Sequence, residues 1–508
     1  MVKSVNAIIL AAGIGNRMVP INMDIPKALL LVDGEPLIER QIRQLHAAGI
    51  TDITIVIGYM KERFRYLVSK FHVHLVINPE FKAKNNLYSL SLVKEKVHNT
   101  YIIPADIWCR NNPFQQHENR SWYMMASRNN VPNDETVIGI AYLSDKDSVC
   151  VRQKLEDFSE KKDYDSCFWE ETLYQQGNLF IDIKTVSTSD FVEINTYEQL
   201  RDLDKYSECL KNDALDVISK VMQCSPADVT DILVLKKGMT NRSFFFKCGE
   251  QRYIMRIPGE GTEQLINRRN EAEVYRAITG RGLCDAPIYM NPDNGYKITK
   301  FLKNVRTCDP YDESDVMACM GCLRRFHNMK IKVSQAFDLF QQVDFYQNLW
   351  ETGKSRYHDY ETTKEHIGSL KGYIDAHKGS YCLTHIDANP DNFLFYDDSS
   401  IEKLQLTDWE YAGMQDPDVD VAMFGIYSIY NKEQMDHLID IYCENRCSIE
   451  RRLKIYCYIA VCGLLWSNWC EYKKGMGIEF GEYANNQYSY AKEYYRYIQR
   501  FYKGAINV

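Results

Sequence analysis

Two stretches of this 508-residue chain gather residues suited to handling phosphate and cations. The first is Leu10-Ala-Ala12-Gly13-Ile-Gly15-Asn-Arg17, where a β-rich run gives way to a loop. Glycine tolerates backbone shapes that let N–H groups approach phosphate oxygens closely, and an arginine beside them neutralises charge on a triphosphate. Pro26-Lys27 follows shortly after and adds a second cation on a fixed backbone. The second stretch is LLWSNWCEY, whose Trp466 and Trp469 are three residues apart and share one face of a helix. A quaternary ammonium has no N–H to donate, so a site for it relies on aromatic faces and a nearby carboxylate. Glycine spacing is equally what a tight turn shows, and an aromatic pair at helical spacing is equally a core stripe. The residues around them have to decide.

The loop LAAGIGNR followed by PKAL resembles the nucleotidyltransferases that make nucleotide-activated sugars and alcohols. The resemblance implies that Arg17 and Lys27 hold the triphosphate during catalysis, and that Leu10, Ala12, Gly13 and Gly15 line the nucleotide. It further implies that Asp106, at the end of YIIPAD, binds magnesium together with Glu193 and Asn195 of FVEINTYEQL. Many relatives with choline substrates carry an aspartate where this chain has Asn195; an amide oxygen still ligates magnesium, more weakly. The reaction implied is attack by a substrate phosphate on the nucleotide α-phosphorus with pyrophosphate leaving, which needs positioning and charge neutralisation and no protein nucleophile. FKAKNNLYSL is similar to a segment of CTP:phosphocholine cytidylyltransferases, which makes Asn85, Asn86 and Ser89 candidates near the nucleotide or acceptor. Trp122, Trp169 and Tyr174, with Trp108 and Tyr123, are candidate walls for a trimethylammonium group.

His385-Ile-Asp387-Ala-Asn-Pro-Asp-Asn392, followed by Thr407-Asp408-Trp-Glu410, has the H-x-D-x-x-x-x-N spacing and downstream aspartate of the protein-kinase-like fold. The likeness implies that Asp387 takes the proton of the substrate hydroxyl, that Asn392 and Asp408 hold magnesium on ATP, and that His385 braces the loop. Upstream, Gly238, Thr240 and Asn241 read as a phosphate-covering turn, Arg256 replaces the third-strand lysine, and Glu271 is its helix partner. With FLKNVRTCD these features resemble the bacterial choline kinases and the related aminoglycoside phosphotransferases, from about residue 225 to about residue 480. Choline kinases carry a similar W-x-x-W pair, so Trp466 and Trp469 become the choline cage. Glu410, Tyr427, Asp416 and Asp420 are candidates for the rest of that pocket.

Scaffolds for both sites are legible. From Val5 to Tyr101, short β-rich runs alternate with amphipathic helical stretches, the rhythm of a doubly wound, Rossmann-like α/β sheet. VLKKGMTNRSFFFKCGEQRYIMRIPG then reads as three antiparallel strands, and helices dominate beyond it, an α+β kinase-like layout. The expected domains are residues 1–206 and 207–508. The length exceeds what one hydrophobic core serves. A net charge of −8 without a basic block leaves no footprint for nucleic acid or an anionic membrane, so small molecules are the expected partners; a homo-oligomer is compatible with the same features. The uncharged run Ile455–Cys470 is shorter than the ~20 residues of a spanning helix and reads as a buried one. MVKSVNAIILAAG leads straight into the glycine loop, which argues a first strand in place of a signal peptide. Sixteen scattered cysteines, with Cys319 and Cys322 the only close C-x-x-C pair, read as reduced thiols in a cytoplasmic protein.

Both halves then recognise one head group. Choline and ATP would give phosphocholine, phosphocholine and CTP would give CDP-choline and pyrophosphate, with Mg2+ at both sites and phosphocholine destined for cell-surface glycans or lipids. Two alternatives stay open: the same steps on ethanolamine or another amino alcohol, and one half serving as a non-catalytic module.

Overall fold

The computed structural model describes residues 4–21, 25–127, 135–235, 241–259, 262, 265–284, 286–350, 353–398, 401–475, 478 and 480–506. Gly238 and Thr240 therefore lie outside the described residues. The chain divides into two compact units, residues 1–237 with 244–251 and residues 238–243 with 252–508.

In the first unit, β1 (Asn6–Ala11), α1 (Leu37–Ala47), β2 (Ile53–Ile57), β3 (His74–Ile77), α2 (Asn86–Ser91) and β4 (Thr100–Pro104) follow one another as the alternating pattern predicts. β5 (Ile107–Cys109), β6 (Trp122–Ser127), β7 (Glu135–Leu143), α3 (Asp145–Ser159), β8 (Asp182–Ser187) and β9 (Phe191–Glu193) complete it. A seven-stranded sheet runs β8-β6-β7-β4-β1-β2-β3. β1 lies between β2 and β4, parallel to both, while β7 is antiparallel to β4 and β6. Successive strand residues point to opposite faces. Ile9, Ile55 and Ile103 accordingly pack with Ile38 and Ile42 of α1, and Ile8, Val56 and Ile102 pack with Leu87 of α2 and Val151 of α3 on the other side. Helices cover both faces, the doubly wound arrangement.

A five-stranded antiparallel sheet is ordered β10 (Val229–Val234), β11 (Asn241–Cys248), β12 (Gln251–Pro258), β14 (Lys297–Lys300), β13 (Tyr289–Met290). α4 (Arg268–Ile278) follows β12, and α5 (Glu313–Asn328) opens the helical part. β15 (Cys382–Thr384), β16 (Phe393–Asp398) and β17 (Ile401–Leu406) present the catalytic-loop sequence, ahead of α6 (Asp418–Tyr427), α7 (Ile449–Gly475) and α8 (Glu482–Ile506). Every residue of α7 from Leu453 to Cys470 is buried, and the helix packs on α6 and α8. That burial is why its middle carries no charge apart from Lys454, which pairs with Asp416 at 2.7 Å. Among the described residues no helix is long and apolar enough to cross a membrane. Cys319 and Cys322 are free thiols, both buried on α5.

Candidate active sites

In the first unit a cavity of about 850 Å³ opens at the carboxyl end of β1. Leu10, Ala12 and Gly13 leave the strand along its wall, and Gly15 and Arg17 continue it. Gly15 has φ of 67°, and a Cβ there would stand 3.3 Å from the Lys27 side chain. Glycine is thus needed both for the turn and for the approach of Lys27.

Lys27 donates to the Asp106 carboxylate and, at 2.7 Å, to Asn195 Oδ1, which Arg17 also reaches at 3.4 Å. The pairing of β5 with β9 explains how such distant residues meet. Its register sets Glu193 opposite Ile107, and Ile194 N–H donates to the Asp106 carbonyl at 3.0 Å. Gln199 Oε1 then holds the Asn195 N–H at 2.7 Å through the capping box of the following helix. The Lys27 ammonium already sits between Asp106 and Asn195, and hard oxygen donors of this kind suit magnesium in their chemistry. Among the described residues no three His, Cys, Asp or Glu converge as a metal cage. Magnesium needs none, because it binds through one or two carboxylates plus substrate phosphates.

The structure corrects the proposed aromatic walls. Trp169 is completely buried in the sheet core, and Trp122 lies in the opposite core with the Lys184 ammonium 4.1 Å from its ring centre. Trp108 is buried under Arg40 and Arg110. Tyr123 and Tyr174 do line the cavity. On β6 the side chains alternate, so Trp122 and Tyr123 face opposite ways and only the latter reaches the site. Asn85, Asn86 and Ser89 also line it, but their visible bonds are to protein: Asn86 Oδ1 accepts from Trp169 N–H at 2.8 Å, Asn85 Nδ2 donates to the Ser166 carbonyl at 3.0 Å, and Ser89 Oγ accepts from Asn78 at 2.9 Å. The residue that the sequence reading missed is Glu170. It lines the cavity, accepts from Tyr123 Oη at 3.1 Å, and is pushed up to about 7 chiefly by burial.

In the second unit Asp387 follows β15. Its Oδ1 accepts from Tyr427 Oη at 2.6 Å, and its Oδ2 from Asn392 Nδ2 at 3.1 Å. Burial pushes its carboxyl up to about 7 against these donors. Asn392 ends a short 3-10 turn capped by Asn389, five residues after Asp387, which places amide and carboxylate in contact. Asp408 follows β17 with φ of 62°; burial holds its carboxyl above the ordinary range. Two desolvated carboxylates beside an amide oxygen suit a magnesium–nucleotide partner.

His385 is buried and lowered to about 4 by desolvation; the neutral ring is 2.8 Å from the Thr407 carbonyl and packs edge-on against Trp409. Asp420 accepts the backbone N–H groups of His385 and Ile386 at 2.9 and 2.7 Å. Asp420 therefore clamps the catalytic loop instead of facing a substrate, and Asp416 is tied to Lys454 and the Gly379 N–H.

Arg256 makes a two-point pair with Glu271, buried as the third-strand cation and its helix partner should be, with Nη2 and Oε2 2.9 Å apart. Arg268, unforeseen from sequence, donates to Glu271 at 3.0 Å, to Glu410 at 3.2 Å and to Asn241 at 3.2 Å. Asn241 also donates to Glu410 at 2.9 Å. Glu410, expected from sequence beside the head group, thus has its carboxylate engaged by the buried guanidinium of Arg268 and by the Asn241 amide.

Trp466 and Trp469 meet edge to face at 5.6 Å, and Trp466 lies 5.6 Å from Tyr427 and 5.7 Å from Tyr411. Phe480 lies 5.2 Å from Trp469. Tyr427 belongs to this aromatic cluster and also bonds Asp387, so rings and carboxylate are one hydrogen bond apart.

A family model described as choline/ethanolamine kinase matches residues 232–459, and one described as an MobA-like NTP transferase domain matches residues 7–112. The choline-phosphate cytidylyltransferase of Streptococcus pneumoniae is 36% identical over 220 residues, covering 42% of this chain and 93% of that protein. The chain belongs to this cytidylyltransferase family. To the cytidylyltransferase half is joined a kinase half, which makes the chain an enzyme of two activities. Protein LicA of Haemophilus influenzae is 28% identical over 264 residues, 49% of this chain and 75% of that one. A crystal structure of choline kinase LicA from Streptococcus pneumoniae is 26% identical, with a TM-score of 0.48, covering 55% of this chain and 98% of that chain.

Proposed function

We propose that the chain converts choline to CDP-choline in two steps. In the first, the choline hydroxyl oxygen attacks the γ-phosphorus of ATP, its proton passes to Asp387 Oδ2, and ADP leaves. In the second, a phosphate oxygen of phosphocholine attacks the α-phosphorus of CTP and pyrophosphate leaves. The observation that carries choline as substrate is the Tyr427 bridge: one side chain joins the base to the aromatic cluster of Trp466 and Trp469. A trimethylammonium held on those rings needs no hydrogen-bond acceptor, and its short alcohol arm points its hydroxyl toward the carboxylate.

Asp387 suits a base because its raised value lies near working pH, where proton uptake by the carboxylate is most effective. In the other site Arg17 and Lys27 supply fixed positive charge for a triphosphate, and the loop from Leu10 to Gly15 supplies backbone N–H groups. Magnesium, when bound, neutralises phosphate charge; Asp106, Glu193 and Asn195 would hold it in one site, and Asn392 and Asp408 in the other. The functional boundary is proposed between residues 206 and 207, the enzyme is proposed to work in the cytoplasm, and its product to supply phosphocholine for cell-surface glycans or lipids.

The test is the purified chain with choline, ATP, CTP and magnesium, followed by phosphorus NMR. CDP-choline, ADP and pyrophosphate should accumulate, and ethanolamine offered instead should be the poorer substrate. Absence of CDP-choline under all conditions, or a preference for ethanolamine, refutes the reading.

A further inference from the structure

The acceptor end of the nucleotidyl-transfer cavity holds a carboxylate that neither the triphosphate nor the metal requires. Glu170 lies in the 3-10 turn Trp169–Leu173. Its Oε1 accepts from Tyr123 Oη at 3.1 Å, while Oε2 is shielded from solvent and accepts no hydrogen bond. The side chains that most influence its titration are Tyr123 on β6, Glu171 on its own turn and Glu193 on β9, none of them a cation; Lys27 and Lys84 line the same cavity, and Lys154 Nζ donates to the Thr172 carbonyl at 3.1 Å. Burial is the largest influence and, with the two other glutamates, holds its carboxyl high. The wall beside it is aromatic and aliphatic: Phe168, Tyr174, Leu179 and Ile183 line the cavity along with Tyr123.

The turn is fastened in place. Asn86 holds the Trp169 N–H, the Trp169 indole is completely buried, and Asn85 N–H donates to the Asp165 carbonyl at 2.7 Å. These contacts fix the backbone from which the Glu170 side chain projects. A fixed carboxylate in an apolar wall is costly alone and becomes favourable once a cation enters.

We propose that Glu170 is the counter-charge for the cationic head group of the acceptor. The inference rests on the proposed acceptor being phosphocholine. The cavity offers the free Glu170 carboxylate oxygen, with Glu171 and Glu193 also on its lining, beside rings and aliphatic side chains. A trimethylammonium brings charge and methyl groups, and both have a complement here.

The experiment compares phosphocholine with its neutral carbon isostere, 3,3-dimethylbutyl phosphate, and with phosphoethanolamine, as CTP-dependent acceptors for the full-length chain. The parent should favour phosphocholine over the isostere in kcat/KM. In Glu170→Gln that preference should fall about tenfold or more through KM for phosphocholine, with KM for CTP unchanged, and Glu170→Asp should keep most of it. The preference is a ratio within one preparation, so partial unfolding does not move it. A parent inactive with phosphocholine refutes both this inference and the reading beneath it. An active parent whose glutamine variant keeps the full preference overturns this inference alone.

Discussion

Replacing Tyr427 by phenylalanine removes one oxygen and keeps the ring. In the parent, that hydroxyl donates to Asp387 Oδ1 at 2.6 Å in a part-buried site. A hydrogen bond to a charged group contributes about 1.5–3 kcal/mol, and each pKa unit corresponds to about 1.4 kcal/mol. Losing the bond should raise the apparent pKa of Asp387 by about 1–2 units, because the donor favours the carboxylate over the acid. The base is then protonated over a wider range. Phosphorylation of choline should fall about 5- to 50-fold near neutral pH and recover as the pH is raised. ADP release followed from pH 6 to pH 10 at saturating ATP gives the profile. Its acid limb should move upward while KM for choline, which depends on the retained ring, stays within about threefold. An unmoved acid limb, or a large rise in KM at unchanged kcat, would refute the assignment of Tyr427 as the group that tunes the base.

Asp387→Asn should abolish choline phosphorylation, leave transfer from CTP to supplied phosphocholine near normal, and stabilise the kinase unit. A carboxyl raised to about 7 keeps a proton in the folded state that the unfolded chain surrenders, so its contribution to stability is lost as pH rises from about 4 to 7. At pH 8 the uncharged variant should gain about 1–3 kcal/mol, read as a higher Tm or denaturant midpoint; an equal or lower midpoint contradicts the desolvation account. Trp469→Leu, which fills space without a π face, should raise KM for choline about 2- to 30-fold and leave KM for ATP unchanged. A lowered Tm at constant KM would make the tryptophan simple core. Lys27→Ala and Asp106→Ala should each cut pyrophosphate release from CTP and phosphocholine about 100-fold or more without touching the kinase. Near-normal turnover in both variants rules out the triphosphate site.

What could be read from the sequence was what chain proximity or strand periodicity determines. Asp387 and Asn392 meet because a short turn separates them, and β1 with its glycine loop follows from an apolar run ending in small residues. Asp106, Glu193 and Asn195 were legible only through family likeness, since their meeting depends on the β5–β9 register. The aromatic walls failed where a single residue of strand phase separates Trp122 from Tyr123, and an apolar strand buried on both sides does not announce its phase. Glu410 and Arg268 come from a turn and a helix far apart in the chain, and no local pattern pairs them. Glu170 was invisible for a similar reason. In WEETLYQQ it is one of two adjacent glutamates, and only the burial of Trp169 turns one of them inward.

The pairing of β5 with β9 also sets a timetable for synthesis. Lys27 and Asp106 leave the ribosome well before Asn195, which lies 168 residues after Lys27 in the chain. At about 5–20 residues per second, several seconds pass in which the glycine loop and β1 to β4 exist without Glu193 or Asn195. During that interval the nascent unit has the apparatus to touch a nucleotide but lacks the strand that aligns the metal ligands. Closing so long a loop is entropically slow, and the contact forms only after the intervening strands have paired. β9 thus acts as a completion signal: the proposed site is whole only once this strand, made after all seven strands of the main sheet, has paired with β5.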